Sequence, residues 1–155
     1  MALEIERKFL IKSIPWSDDT PCQKLYQGYL GSNSPAVIRV RADDQARQAW
    51  LTIKGPVQSI TREEFEYDIP WEDSLALRKM CHHDIEKTRR KIHYIDQIWE
   101  LDEFHGDNQG LIIAELELSD ETAVWVPPPW IGTEITHDFR YYNNNLASIP
   151  WTSWA

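Results

Sequence analysis

Like-charged residues recur two positions apart along the chain, as in Glu4-x-Glu6, Arg39-x-Arg41, Lys87-x-Arg89, Glu100-x-Asp102 and Glu115-x-Glu117. Paired carboxylates offer the oxygen donors that a hard divalent cation such as Mg²⁺ or Mn²⁺ prefers. Clustered arginine and lysine suit phosphate oxygens, arginine as a bidentate fork and lysine as a point charge. Charges of one sign this close repel, which is tolerated when something of opposite sign lies between them. The set therefore predicts a metal cage beside a phosphate cradle. No Ser-His or Cys-His nucleophile is apparent.

The elements that must position these residues are strands. Period-two segments near 3–11, 24–30, 36–42, 49–54, 62–69, 85–95, 98–104 and 111–119 are separated by the turn-forming clusters Gly31-Ser32-Asn33-Ser34-Pro35, Gly55-Pro56 and His105 to Gly110. Helical spacing over Asp73 to Met80, with an acidic start and a basic end, predicts one helix. Asp120 to Val126 is a second candidate, stopped by three prolines, and His137 to Ala147 a third. About eight antiparallel strands in a chain this size predict a mainly β (α+β) fold, one sheet curled into a barrel with a few helices packed outside.

Alternate residues of a strand face opposite sides. Glu4, Glu6 and Lys8 thus share one face of the first strand and leave Leu3, Ile5, Arg7, Phe9 and Ile11 on the other. Arg39 and Arg41 oppose Ile38 and Val40; Thr52 and Lys54 oppose Leu51 and Ile53; Glu115 and Glu117 oppose Ala114, Leu116 and Leu118. The plain alternative is the wet face of an ordinary sheet, but such a face mixes signs and intersperses Ser, Thr and Gln. If the charged face turns inward, the barrel becomes a polar tunnel whose charges need a ligand to stay buried.

Composition bounds the rest. The chain has 155 residues and a net charge of −9, which predicts one domain, residues 1–155, and argues against nonspecific nucleic-acid binding. Six of the 16 bases nevertheless fall on the charged strand faces. Cys22 and Cys81 lack metal-ligand spacing, so neither a disulfide framework nor a zinc site is indicated. No apolar run approaches the roughly 18 residues of a membrane span. Glu4 and Glu6 follow Met1 so closely that no signal peptide is expected. A reducing, cytoplasmic setting fits. The eight tryptophans, several beside prolines, predict packing at loops and edges, and a Trp-rich edge permits a homodimer without requiring one.

With those residues in order, the chain resembles the CYTH family, the triphosphate tunnel metalloenzymes. Glu4-Ile5-Glu6-Arg7-Lys8 matches the family's Glu-x-Glu-x-Lys signature. Arg39-Val40-Arg41, Thr52-Ile53-Lys54-Gly55, Arg62-Glu63-Glu64-Phe65-Glu66, Glu86-Lys87-Thr88-Arg89, Glu100-Leu101-Asp102 and Glu115-Leu116-Glu117 follow in the family's order. Arg140 to Ala147 resembles the closing segment of short bacterial members, with Arg140 as its only base where relatives often carry a further lysine.

The resemblance implies an eight-stranded antiparallel tunnel and a hydrolase of the small bacterial inorganic-triphosphatase type, using two Mg²⁺ or Mn²⁺ ions. It implies that Lys8, Arg39, Arg41, Lys54 and Arg89 grip phosphate, with Lys87 close to the terminal phosphate. Glu4 and Glu115 would hold one cation; Glu6, Glu117 and Asp102 would support a second that carries the attacking water. Glu64, Glu66 and Glu100 are expected to orient neighbouring bases. His93 shares a strand face with Lys87 and Arg89, while His82 and His83 fit the end of a helix. Competing readings are a class IV-type adenylate cyclase, a thiamine- or nucleoside-triphosphatase, and a polyphosphate-binding module without turnover.

Overall fold

A computed structural model describes residues 2–31 and 35–154, so the centre of the turn expected at Gly31 to Pro35 lies outside the described residues. Eight strands form the barrel: β1 (Leu3–Ile11), β2 (Gln23–Leu30), β3 (Val37–Asp43), β4 (Gln48–Lys54), β5 (Thr61–Ile69), β6 (His83–Tyr94), β7 (Gln97–Phe104) and β8 (Ile112–Glu117). Their order is β5-β4-β3-β2-β6-β7-β8-β1, every pair is antiparallel, and pairing of β1 with β5 closes the ring. Each strand lies within a few residues of its expected segment.

A ninth strand, β9 (Ile131–Glu134), was not expected. It pairs with the end of β1 at Phe9 and Ile11, where the β1–β5 ladder of Leu3, Glu4 and Ile5 has already ended. Four residues are too few for alternation to stand out in a sequence.

Helix α1 (Trp71–Arg78) packs outside the barrel against β3 and β4, about where a helix was expected. The segment 120–126 is not helical. Asp120 Oδ1 accepts from the Thr122 backbone N–H at 2.8 Å and from its hydroxyl at 2.6 Å, and the backbone makes one turn, Ala123 N–H to Asp120 O at 3.2 Å, that the β-branched Val124 and Val126 and the prolines after them do not extend. The third expected helix shrinks to a 3₁₀ turn at Phe139–Tyr141 and the short α2 (Asn143–Ser148), which caps one end of the barrel beside β2 and β6 rather than lying on its outer wall.

Two apolar clusters flank the charged interior. Trp99, Phe9, Leu101, Ala114, Leu116 and Trp130 pack on the outer faces of β1, β7 and β8, beneath the segment that runs from β8 to β9. The Trp99 ring is fully buried, with its centroid 5.6 Å from Phe9 and 5.4 Å from Trp130. The second cluster, which includes Tyr29, Ile85, Phe104, Ile113 and Leu146, uses inward-facing strand positions and stoppers the end of the barrel under α2. Among the described residues no helix is long and apolar enough to cross a membrane.

Candidate active site

An eight-stranded barrel is just wide enough inside for its own side chains to fill. Here the inward positions between the apolar stopper and the open end are charged, and they enclose a polar cavity of about 180 Å³. The strand register sets opposite charges directly across from one another: Glu4 faces Arg62, Lys8 faces Glu115, Lys54 faces Glu64 and Arg89 faces Asp102. Such neighbours have Cβ atoms roughly 5 Å apart, within ion-pair reach.

Most of the residues singled out by the sequence line this cavity: Lys8, Arg39, Arg41, Lys54, Lys87 and Arg89 among the bases, and Glu4, Glu6, Glu115 and Glu117 among the acids. Glu64, Glu66 and Glu100 line it as well, each paired with a base: Glu64 with Lys54 at 3.1 Å, Glu66 with Arg39 at 3.5 Å, and Glu100 with Arg89 at 3.0 Å. Asp102 does not line it. Its carboxylate is fully buried behind the wall, taking Lys87 Nζ at 2.7 Å on Oδ2 and Arg89 Nε at 2.7 Å on Oδ1. With both oxygens held by bases, Asp102 is placed to orient Lys87 and Arg89, in contrast to the metal-ligand role that its motif suggested. His93 is exposed and off the cavity wall, and His82 and His83 lie outside it just beyond α1. Arg140 is exposed and bonded to Asp138 at 2.6 Å, so it does not close the tunnel.

The electrostatics follow from crowding. For Glu4, burial is outweighed by Lys54, Arg62 and Lys8, which bring its carboxyl down to about 2. Glu6 moves the other way: burial and the adjacent Glu115 carboxyl push it up to about 8, and the two carboxyls are hydrogen-bonded. Glu115 stays well below the ordinary carboxylate range, because Lys8, Arg89 and Lys87 outweigh its burial. Glu117 is raised by burial and by Glu4, Glu100 and Glu64. Among the bases, burial with Arg89 and Arg41 nearby draws Lys87 down to about 7 despite Asp102. Burial with Arg39 and Arg89 brings Arg41 to about 10.

These values mark two unmet demands. The cationic side is crowded, and the buried Arg39 Nε has no hydrogen-bond partner among the described residues, a vacancy suited to an anion's oxygen. The acidic side crowds the Glu6 and Glu115 carboxyls about one base, Lys8 Nζ lying 2.8 Å from Glu6 and 3.4 Å from Glu115, a crowding that a divalent cation relieves. Among the described residues no three carboxylate, imidazole or thiol groups are already gathered about one point that could hold a metal ion. The donor chemistry of Glu6, Glu115 and Glu117 nevertheless fits a hard divalent ion.

The model of the CYTH domain matches residues 2–148. The chain belongs to the CYTH family. Similar CYTH-family proteins include the inorganic triphosphatase of Acetivibrio thermocellus, 40% identical over 153 residues covering 97% of each chain. The inorganic triphosphatase of Nitrosomonas europaea is 35% identical over 158 residues, covering 95% of this chain and 99% of its own. Among solved structures, the crystal structure of the inorganic triphosphatase NE1496 aligns over 95% of both chains with a TM-score of 0.69 at 34% identity. The fold of this CYTH protein is thus the antiparallel tunnel.

Several wall residues carried no role in the sequence reading. Arg62 lines the cavity and donates to Glu4 Oε2 at 3.0 Å; its parity with Glu64 and Glu66 on one strand was the available signal. Tyr29 shares parity with Gln27 on β2. Tyr142 and Asn143 reach the cavity from the N-cap and first residue of α2, a helix too short for its periodicity to stand out.

Proposed function

We propose that this CYTH protein is a divalent-metal-dependent phosphohydrolase that cleaves inorganic triphosphate to pyrophosphate and phosphate inside the tunnel. One observation carries the reading: a single cavity in which buried bases, with the Arg39 Nε still unpartnered, face the neighbouring carboxyls of Glu6, Glu115 and Glu117. The two relatives at 40% and 35% identity, both inorganic triphosphatases, support it.

In this reading Lys8, Arg39, Arg41, Lys54 and Arg89 grip phosphate oxygens, and Lys87 stands at the terminal phosphate, held by Asp102. Arg62 adds a further base to the same wall. Glu6, Glu115 and Glu117, with Glu4, hold Mg²⁺ or Mn²⁺, most simply as two ions. Bound there, a divalent cation neutralises phosphate charge and lowers the pKa of water for in-line attack. Substrate entry releases the bases from their present acidic partners, so the acids turn to the cation as the bases turn to the phosphates.

We further read residues 1–155 as one domain acting in the cytoplasm on a small triphosphate-containing molecule, not on nucleic acid. The free thiols of Cys22 and Cys81 fit a reducing compartment. A colorimetric phosphate assay with tripolyphosphate and Mg²⁺ or Mn²⁺ tests the reading. Release that disappears in Glu4→Gln/Glu6→Gln is expected; an inactive wild-type protein, or a fully active double variant, overturns it.

A further inference from the structure

Behind the cavity wall, a chain of side-chain hydrogen bonds runs from Arg41 to Lys87 through two neutral amides. Arg41 Nε donates to Gln27 Oε1 at 3.0 Å. Gln27 Nε2 donates to Asn143 Oδ1 at 3.1 Å and to the Tyr29 hydroxyl at 3.0 Å. Lys87 Nζ donates to the same Asn143 Oδ1 at 2.8 Å.

The polarity of this chain is forced from its Arg41 end. A guanidinium Nε only donates, so the Gln27 atom facing Arg41 must be the amide oxygen. The Gln27 nitrogen is then left for Asn143, whose facing atom must be its oxygen, and that oxygen also takes Lys87. Reversing either amide would set donor against donor. Gln27 itself is fully buried and is not on the cavity wall, yet its oxygen and both its N–H groups are bonded. A buried amide costs free energy unless bonded, and a fully satisfied network is stiff. Asn143 comes from the start of α2, whose Leu146 seats in the apolar stopper, so seating of the C-terminal segment sets where its oxygen lies.

We propose that Gln27 is a positioning residue that joins docking of the C-terminal segment to the orientation of Arg41 and Lys87, making the phosphate cradle one cooperative unit. The proposal rests on the triphosphatase reading of the cavity. Gln27 acts on Arg41 directly, and on Lys87 only by way of Asn143.

The test is steady-state tripolyphosphate hydrolysis with saturating Mg²⁺ by full-length wild type, Gln27→Met, Asn143→Ala, their double variant and Asn143→Asp. Gln27→Met keeps the shape and removes the bonds; it should raise KM about tenfold through Arg41 and also lower kcat, as expected for losing a bond to a charged group. Asn143→Ala should lower kcat with KM little changed, and the double variant should have the kcat of Asn143→Ala alone. Asn143→Asp, which keeps the acceptor for Lys87 and Gln27, should recover most of kcat. Should Gln27→Met fail to fold, the contrast between Asn143→Ala and Asn143→Asp still decides. An active wild type with Asn143→Ala unimpaired, a Gln27→Met that melts earlier at unchanged KM, or kcat losses that multiply in the double variant would overturn the positioning role alone. A wild type without phosphate release overturns both it and the functional reading.

Discussion

Lys87 Nζ lies 2.7 Å from Asp102 Oδ2, both side chains are sealed from solvent, and Arg89 closes on the same carboxylate at 2.7 and 2.8 Å. One anion therefore holds two cations that would otherwise repel. Asp102→Asn removes that charge, and an uncompensated buried charge typically costs about 3–5 kcal/mol. Urea denaturation should show a loss of that size. If Asp102 orients bases and does not ligate metal, Mn²⁺ affinity by calorimetry should survive in Asp102→Asn and collapse in Glu6→Gln; equal collapse in both would return Asp102 to the ligand set.

Trp99 anchors the outer cluster with no solvent exposure, and its indole N–H has no partner among the described residues. Trp99→Ala opens a cavity and should cost about 3–5 kcal/mol. Trp99→Phe removes the unpaired N–H along with part of the ring, so its cost should be clearly smaller. Because the cluster lies on the outside of β7, tripolyphosphate turnover per folded molecule should hold in Trp99→Phe; a loss of kcat without a loss of stability would contradict that separation.

Gly28 is fixed by its surroundings on β2. A Cβ there would lie 2.6 Å from Cys81 Sγ and 2.7 Å from the Tyr26 hydroxyl. Gly28→Ala should destabilise by about 1–3 kcal/mol, the usual range for overpacking. Cys81→Ala in the same chain removes the nearer obstacle and should recover part of the loss in a thermal melt; an equally unstable double variant would show that the close contact is not what bars alanine.

The strands and the charged interior were legible because alternation is strict where a strand separates an apolar exterior from a polar lumen: Glu115 and Glu117 against Ala114 and Leu116 admit one register. Pairing of Glu4 with Arg62, which closes the ring, was not legible, since nothing local says which strands meet. The false helix at 120–126 rested on an acidic start and a proline stop, whereas Thr122, Val124 and Val126 are β-branched and leave only one turn, from Asp120 to Ala123. Gln27 and Asn143 left no mark because a single neutral amide has no period and no charge; its meaning lies in partners 116 positions apart. The bonds that Asp102 makes were not legible either, because a Glu-x-Asp pair shows that two carboxylates share a face, but not that the strand opposite sets Arg89 and Lys87 against one of them.

Glu6 makes stability depend on pH in a direction of its own. Its carboxyl titrates near 8 in the folded protein against an ordinary 4.5, because of burial and Glu115. Between those values the folded state keeps a proton that the unfolded state has shed. Its contribution is thus fully present below about pH 4.5 and is lost as pH rises through 8, on the order of a few kcal/mol in all. Glu4, Glu115 and Asp102 are depressed, so their contributions are lost only in acid, below that window. In a chelator, wild-type Tm should therefore fall relative to Glu6→Gln between pH 5 and pH 8. A divalent cation replaces the shared proton: at pH 7, Mn²⁺ binding should release about one proton from wild type and fewer from Glu6→Gln, measured by calorimetry in buffers of different ionisation enthalpy. With Mn²⁺ present, wild-type Tm should no longer decline toward pH 8. A constant Tm gap between the two proteins across that range would show that Glu6 and Glu115 do not share a proton.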